Sequence, residues 1–247
     1  NIYFTAFIPF LKKFDFTTKK TEILYPDDIL YTNNVFWSPD ENKLILKNNQ
    51  PYADTSTRLL ELKTQKITDL NKNIKNVIWS NDSQKIYYQF SDTEKNLNYL
   101  AVAKYDGSSE QKVIDLKYLD YGFVWLNNFQ ELGFWSMPQD ASGTKLYAVG
   151  LQNNSVSTIL DDYKLNDVLS SPNGQYFVYN HFDEEKGITI SYAKYDGKNN
   201  KDLNYVSTIQ KIVWSNDSSF FVIAVKEKET ENDKFYKIKV KNGKATV

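Results

Sequence analysis

The chain has 247 residues, no cysteine, a single histidine, nine glycines and a formal net charge of −1. These numbers exclude disulfide staples, thiolate metal sites and a cysteine nucleophile. Glycine is too scarce for a glycine-rich phosphate loop, no long basic run points to a nucleic-acid groove, and no apolar run reaches the 18 residues of a membrane helix.

Aromatic residues are abundant (18 Tyr, 15 Phe, 5 Trp), as suits strands whose flat side chains pack sheet against sheet. In chain order, residues 1–7, 11–16 and 21–25 read as three strands. The apolar stretch 2–11 is interrupted by Pro9 and too short for a signal peptide. A phrase then begins that returns about every 42 to 46 residues: Val35-Phe36-Trp37-Ser38-Pro39-Asp40, Val77-Ile78-Trp79-Ser80-Asn81-Asp82, Phe123-Val124-Trp125-Leu126-Asn127-Asn128, Val168-Leu169-Ser170-Ser171-Pro172-Asn173 and Ile212-Val213-Trp214-Ser215-Asn216-Asp217. Each copy predicts a short strand A, buried on both faces, and a polar turn that Pro, Asp or Asn closes through the local backbone. The Trp is expected to wedge between neighbouring units.

An apolar strand B follows each copy (Lys43-Leu44-Ile45-Leu46 is the first). A polar loop then leads to an alternating strand C, such as Leu100-Ala101-Val102-Ala103. Strand C ends in a tight turn, Tyr105-Asp106-Gly107, Tyr195-Asp196-Gly197 or Asn242-Gly243, the strongest short-range hairpin signals. A short strand D leads back to the next phrase. No segment of helical length carries a 3.6-residue stripe. A fixed period of this length marks a radial or solenoid array. Five phrases plus a first unit without strand A predict six four-stranded units, with approximate boundaries 1–28, 29–70, 71–116, 117–160, 161–205 and 206–247 in one domain.

The Trp-Ser-Pro-Asp phrase followed by Tyr-Asp-Gly at the next hairpin resembles the TolB-like or WD-like β-propeller repeats of bacterial envelope proteins, across essentially all of residues 1–247. Asn81 and Asn216 stand where Pro is common, Leu126 where Ser is usual, and Ser170 replaces a Trp. The resemblance implies an all-β, six-bladed propeller of four-stranded antiparallel blades, the first lacking its A strand. It also implies an extracytoplasmic place, periplasmic or cell-surface, with the missing strand and an export signal or anchor upstream. Members of that group act as docking platforms, as gating propellers attached to serine peptidases, or as domains of uncertain role.

Chemistry is sparse in the sequence. His181, the lone histidine, reads as a loop residue paired with Asp183, Glu184 or Glu185, and no Gly-x-Ser-x-Gly elbow accompanies it. Zinc or iron sites lack nitrogen and sulfur donors. The acidic groups Asp27-Asp28, Asp161-Asp162 and Asp183-Glu184-Glu185 lack a calcium-loop pattern. Asn81, Asn153 and Asn216 begin Asn-x-Ser sequences that read as turns. No catalytic residue, metal or cofactor is therefore expected.

The expectation that remains is a binding surface. The B–C connections, residues 47–56, 91–98, 136–143, 181–187 and 226–234, read as long, irregular loops sharing one side with the D–A connections, where a rigid scaffold presents binding residues. Tyr31, Tyr52, Tyr118, Tyr121, Trp135, His181 and Phe182 are the candidate anchors there for a protein or peptide partner. A monomeric, non-enzymatic platform is the leading expectation. A propeller accompanying a hydrolase or carbohydrate-active enzyme, and a spacer of a surface protein, are the alternatives.

Overall fold

Period-two alternation and left-handed turn residues pleat this chain into strands: among the described residues there are twenty-three strands and no helix. The computed structural model describes residues 2–5, 11–15, 17–25, 32–48, 56–117, 121–136, 144–163, 165–203, 209–226, 233–241 and 244–246. The chain divides into two compact units, Asn1–Asp115 and Leu116–Val247.

The first unit holds three antiparallel meanders. One has three strands, β1 (Ile2–Thr5), β2 (Leu11–Asp15) and β3 (Lys20–Tyr25). The second runs β4 (Thr32–Trp37), β5 (Lys43–Asn48), β6 (Thr57–Glu61) and β7 (Lys66–Leu70). The third runs β8 (Ile74–Trp79), β9 (Lys85–Asp92), β10 (Leu97–Lys104) and β11 (Gln111–Asp115).

The second unit holds three four-stranded meanders. They are β12 (Tyr121–Leu126), β13 (Glu131–Ser136), β14 (Thr144–Gly150) and β15 (Val156–Tyr163); then β16 (Leu165–Ser170), β17 (Tyr176–Asp183), β18 (Gly187–Lys194) and β19 (Lys201–Asp202); then β20 (Ile209–Trp214), β21 (Phe220–Lys226), β22 (Asp233–Lys241) and β23 (Lys244–Thr246). The last turn, Asn242-Gly243, lies outside the described residues.

Within each unit neighbouring sheets share a core. Ile45 and Leu59 pack with Val77, Trp79, Ile86 and Tyr88; Leu146 and Leu160 with Val168, Phe177 and Tyr179; Val178 and Tyr192 with Phe221 and Ile238. Each such side chain, taken out of water, contributes about 1.5–3 kcal/mol.

The returning phrase builds these contacts. Trp79 donates its indole N–H to Phe36 O of the preceding sheet at 2.9 Å, and Trp214 does the same to Leu169 O at 3.2 Å. After the Trp, or after Ser170 in its place, the Ser hydroxyl accepts the N–H five residues on, at 2.9–3.1 Å for Ser38, Ser80, Ser171 and Ser215. The Asp or Asn two residues past the Ser accepts the N–H two residues further: Asn42 to Asp40, Gln84 to Asp82, Gln175 to Asn173, Ser219 to Asp217.

The next position is left-handed in every one of these four turns: Glu41 (φ 56°), Ser83 (59°), Gly174 (66°) and Ser218 (59°). Two of these residues also stitch sheets together. The Ser83 hydroxyl accepts the N–H of Asp40, and that of Ser218 the N–H of Asn173, both at 3.1 Å. The phrase therefore closes its own turn and clasps the sheet before it.

Two expectations are corrected. Strand A is not buried on both faces throughout, since Val213 in β20 is half exposed. Residues 91–98 and 181–187 are not irregular loops. Strands β9 and β10 pair out to Asp92↔Leu97, and β17 and β18 out to Asp183↔Gly187, so each connection is a tight turn at the tip of a long hairpin. Regular pairing satisfies the backbone through residues whose polarity alone suggested a loop.

Candidate functional site

In each four-stranded sheet the B–C connection and the start of strand A lie at one end, and the phrase turn lies at the other. The apolar layering of the repeat gives way at the hairpin end in three of the five sheets that carry the phrase. The strand-B position three residues past the one paired with the phrase Trp or Ser170 is Lys47, Gln89, Trp135, Asn180 and Ala224 in successive sheets. Four buried polar atoms have no hydrogen-bond partner among the described residues: Thr57 Oγ1, Ser91 Oγ, Trp135 Nε1 and Asn180 Oδ1. All four lie in the half of their strands nearer the B–C connection. Buried polar groups are nearly always paired, so this clustering singles out that end.

In the second unit this end carries exposed apolar side chains. Phe182 is 50% exposed, and its cross-strand partner Ile188 is exposed beside it on the β17–β18 hairpin. In the next sheet Phe235, near the start of β22, is 71% exposed, the highest value for a large apolar residue among the described residues. Sequence reading missed Phe235, but a signal was present: it alternates in register with Lys237 and Lys239, while Tyr236, Ile238 and Val240 take the packed face.

The other candidates separate clearly. Trp135 is 3% exposed, with its ring against Gly122, where a Cβ would lie 2.2 Å from Cζ2. Tyr121 is buried as well, its hydroxyl accepting the N–H of Lys117 at 3.2 Å. Both fill the sheet from within and are not exposed anchors. Tyr31, Tyr52 and Tyr118 lie outside the described residues.

His181 is a buried strand residue of β17, not a loop residue. Its Nε2 lies 3.1 Å from Ser191 Oγ, which donates to Asp202 Oδ1; the same Nε2 is 3.7 Å from that carboxylate. Three residues of the hydrolase type thus meet, but in another order. A triad needs the histidine between the serine and the carboxylate, one ring nitrogen to each. Here the serine stands between, both oxygens approach one nitrogen, and Ser191 is fully buried, closed to a substrate. The arrangement braces β17, β18 and β19.

In the first unit the hairpin end forms a polar cleft of about 460 Å³, where Lys47 of β5 meets the approach to β8 and the tip of the β9–β10 hairpin. Lys47 is 7% exposed and donates to Ile74 O at 2.5 Å. Burial, with the charge of Lys75 added, lowers its pKa from 10.5 to about 8. No group of three His, Cys, Asp or Glu side chains suited to a metal ion occurs among the described residues, and no helix among them is long and apolar enough to cross a membrane.

No protein-family model and no curated protein matches the sequence. Solved structures do match in fold. TolB from Acinetobacter baumannii aligns with a TM-score of 0.65 at 12% identity, over 93% of this chain and 57% of that one. Oligogalacturonate lyase from Vibrio parahaemolyticus gives 0.72 at 12% identity, over 97% and 74%. The β-propeller domain of the Trilobed protease from Pyrococcus furiosus gives 0.61 at 15% identity, over 96% and 78%. The fold is a TolB-like β-propeller; at these identities the likeness is one of fold.

Proposed function

We propose that this chain is a six-bladed propeller domain, its three-stranded sheet being one blade, and that it serves as a non-enzymatic platform for a protein or peptide partner. The binding surface is the end of the sheets that carries the B–C hairpins. The observation that carries this reading is the exposed apolar set there, Phe182, Ile188 and Phe235, held on paired strands. Large aromatic side chains on a rigid support lose little entropy on binding, which makes them the usual anchors of an interface. The propeller likeness, which includes a TolB, supports a place in the bacterial cell envelope. Such likenesses also include a lyase and a protease's propeller domain, so an enzyme-linked role is the second reading.

The test is affinity capture with the wild type and with Phe182→Ser/Phe235→Ser. A partner held by the wild type and released by the double variant, with an unchanged melting temperature, is the expected result. Equal capture by both would remove this end as the binding surface.

A further inference from the structure

The cleft of the first unit combines features that a merely solvated surface does not need. Four lysines, Lys47, Lys72, Lys75 and Lys95, line it with two carboxylates, Asp92 and Glu94. The carboxylate paired with Lys95 is already committed. Asp92 accepts the Lys95 N–H at 3.2 Å, the Lys95 ammonium at 3.3 Å and the Asn73 amide at 3.2 Å. The remaining charge in the lining is predominantly positive.

Lys47 has no acidic partner among the described residues; its recorded bond, to Ile74 O, uses one of three N–H donors. Ser91, 5% exposed in the same lining, has a hydroxyl with no hydrogen-bond partner among the described residues. A buried ammonium and an idle buried hydroxyl are both costly to keep, and an anion taking bonds from both offsets that cost. The volume falls in the range of small-ligand sites, about 300–1,000 Å³.

We propose that this cleft binds a small ligand through an oxyanion group, a carboxylate or a phosphate, which accepts hydrogen bonds from Lys47 Nζ and, once the Ser91 side chain turns toward the cleft, from Ser91 Oγ, in the field of Lys75 and Lys72. The site goes beyond the platform reading and does not depend on it, because Phe182 and Phe235 belong to the other unit.

The experiment follows the 13Cε resonance of Lys47 through a pH titration. The probes are inorganic phosphate and citrate, each against sodium chloride of equal ionic strength. An anion seated on the ammonium favours its charged form, so at least one of the two probes is expected to raise the apparent pKa of Lys47 by about one unit or more. A response to citrate alone identifies a carboxylate ligand, and a response to phosphate alone a phosphate. Ser91→Ala, which removes an unpartnered hydroxyl and spares the fold, is expected to weaken the bound probe about tenfold, and Lys47→Met to abolish the resonance shifts of Lys75. No response beyond that of chloride, equal shifts at all lysines, or unchanged affinity in Ser91→Ala would overturn the proposal.

Discussion

At the scale of single residues, the phrase turns that carry an aspartate have a measurable electrostatic signature. The hydrogen bond from Ser80 and then the Gln84 N–H hold the Asp82 carboxyl below the usual carboxylate range; Ser215 and the Ser219 N–H lower that of Asp217 to about 2. A carboxylate whose folded pKa lies below its unfolded value, about 3.9, adds stability that is fully present above that value and is lost as pH falls through the folded pKa. Asn173 performs the same backbone bonding without a charge. The variant Asp82→Asn/Asp217→Asn should therefore melt close to the wild type at pH 7 and show a shallower fall in melting temperature between about pH 4 and pH 2. An unchanged slope would remove these aspartates from the acid response.

Gly197 makes a second residue-scale test. Its φ of 77° is left-handed, and a Cβ there would lie 2.4 Å from Ile159 O of the preceding sheet. Gly187 has a similar φ of 84° with open space around it. Gly187→Ala should cost about 1–2 kcal/mol from the backbone alone. Gly197→Ala should cost about 1–3 kcal/mol more through the forced contact. Urea denaturation of both variants measures the difference, and equal costs would contradict the close approach of the sheets.

At the scale of elements, the sequence shows what depends on the neighbouring residues and conceals what depends on register. The Ser-Pro-Asp and Ser-Asn-Asp turns were legible because the bonds lie within five residues. The clasp between sheets was half legible: the Trp was expected to wedge, but the Ser83 and Ser218 hydroxyls reaching back 43 and 45 residues were not foreseen. Trp135 read as a surface anchor because it stands beside a polar connection. Only pairing β12 to β13 sets it opposite Gly122, the gap its ring fills. Lys47 is illegible in sequence for the complementary reason: a lysine at a strand end usually reaches water, and the burial of this one comes from a different sheet. His181 likewise depended on β19, a two-residue strand with no sequence signal of its own.

At the scale of the whole molecule, a repeated scaffold separates two tasks. The phrase end of the four-stranded sheets is used for packing and turn closure. The hairpin end collects the exceptions: unpaired buried polar atoms, a desolvated lysine and exposed aromatic side chains. A binding role at the hairpin end predicts that apolar exposure matters there and nowhere else. The most direct measurement compares partner affinity for Phe182→Ser and Phe235→Ser with that for Val213→Ser, an equally apolar exposed site toward the phrase end of β20. Each of the first two is expected to weaken binding about tenfold or more, the effect of losing a dominant anchor, while Val213→Ser leaves it unchanged. A loss confined to Val213→Ser, or no loss in any of the three, would remove the hairpin end as the binding surface.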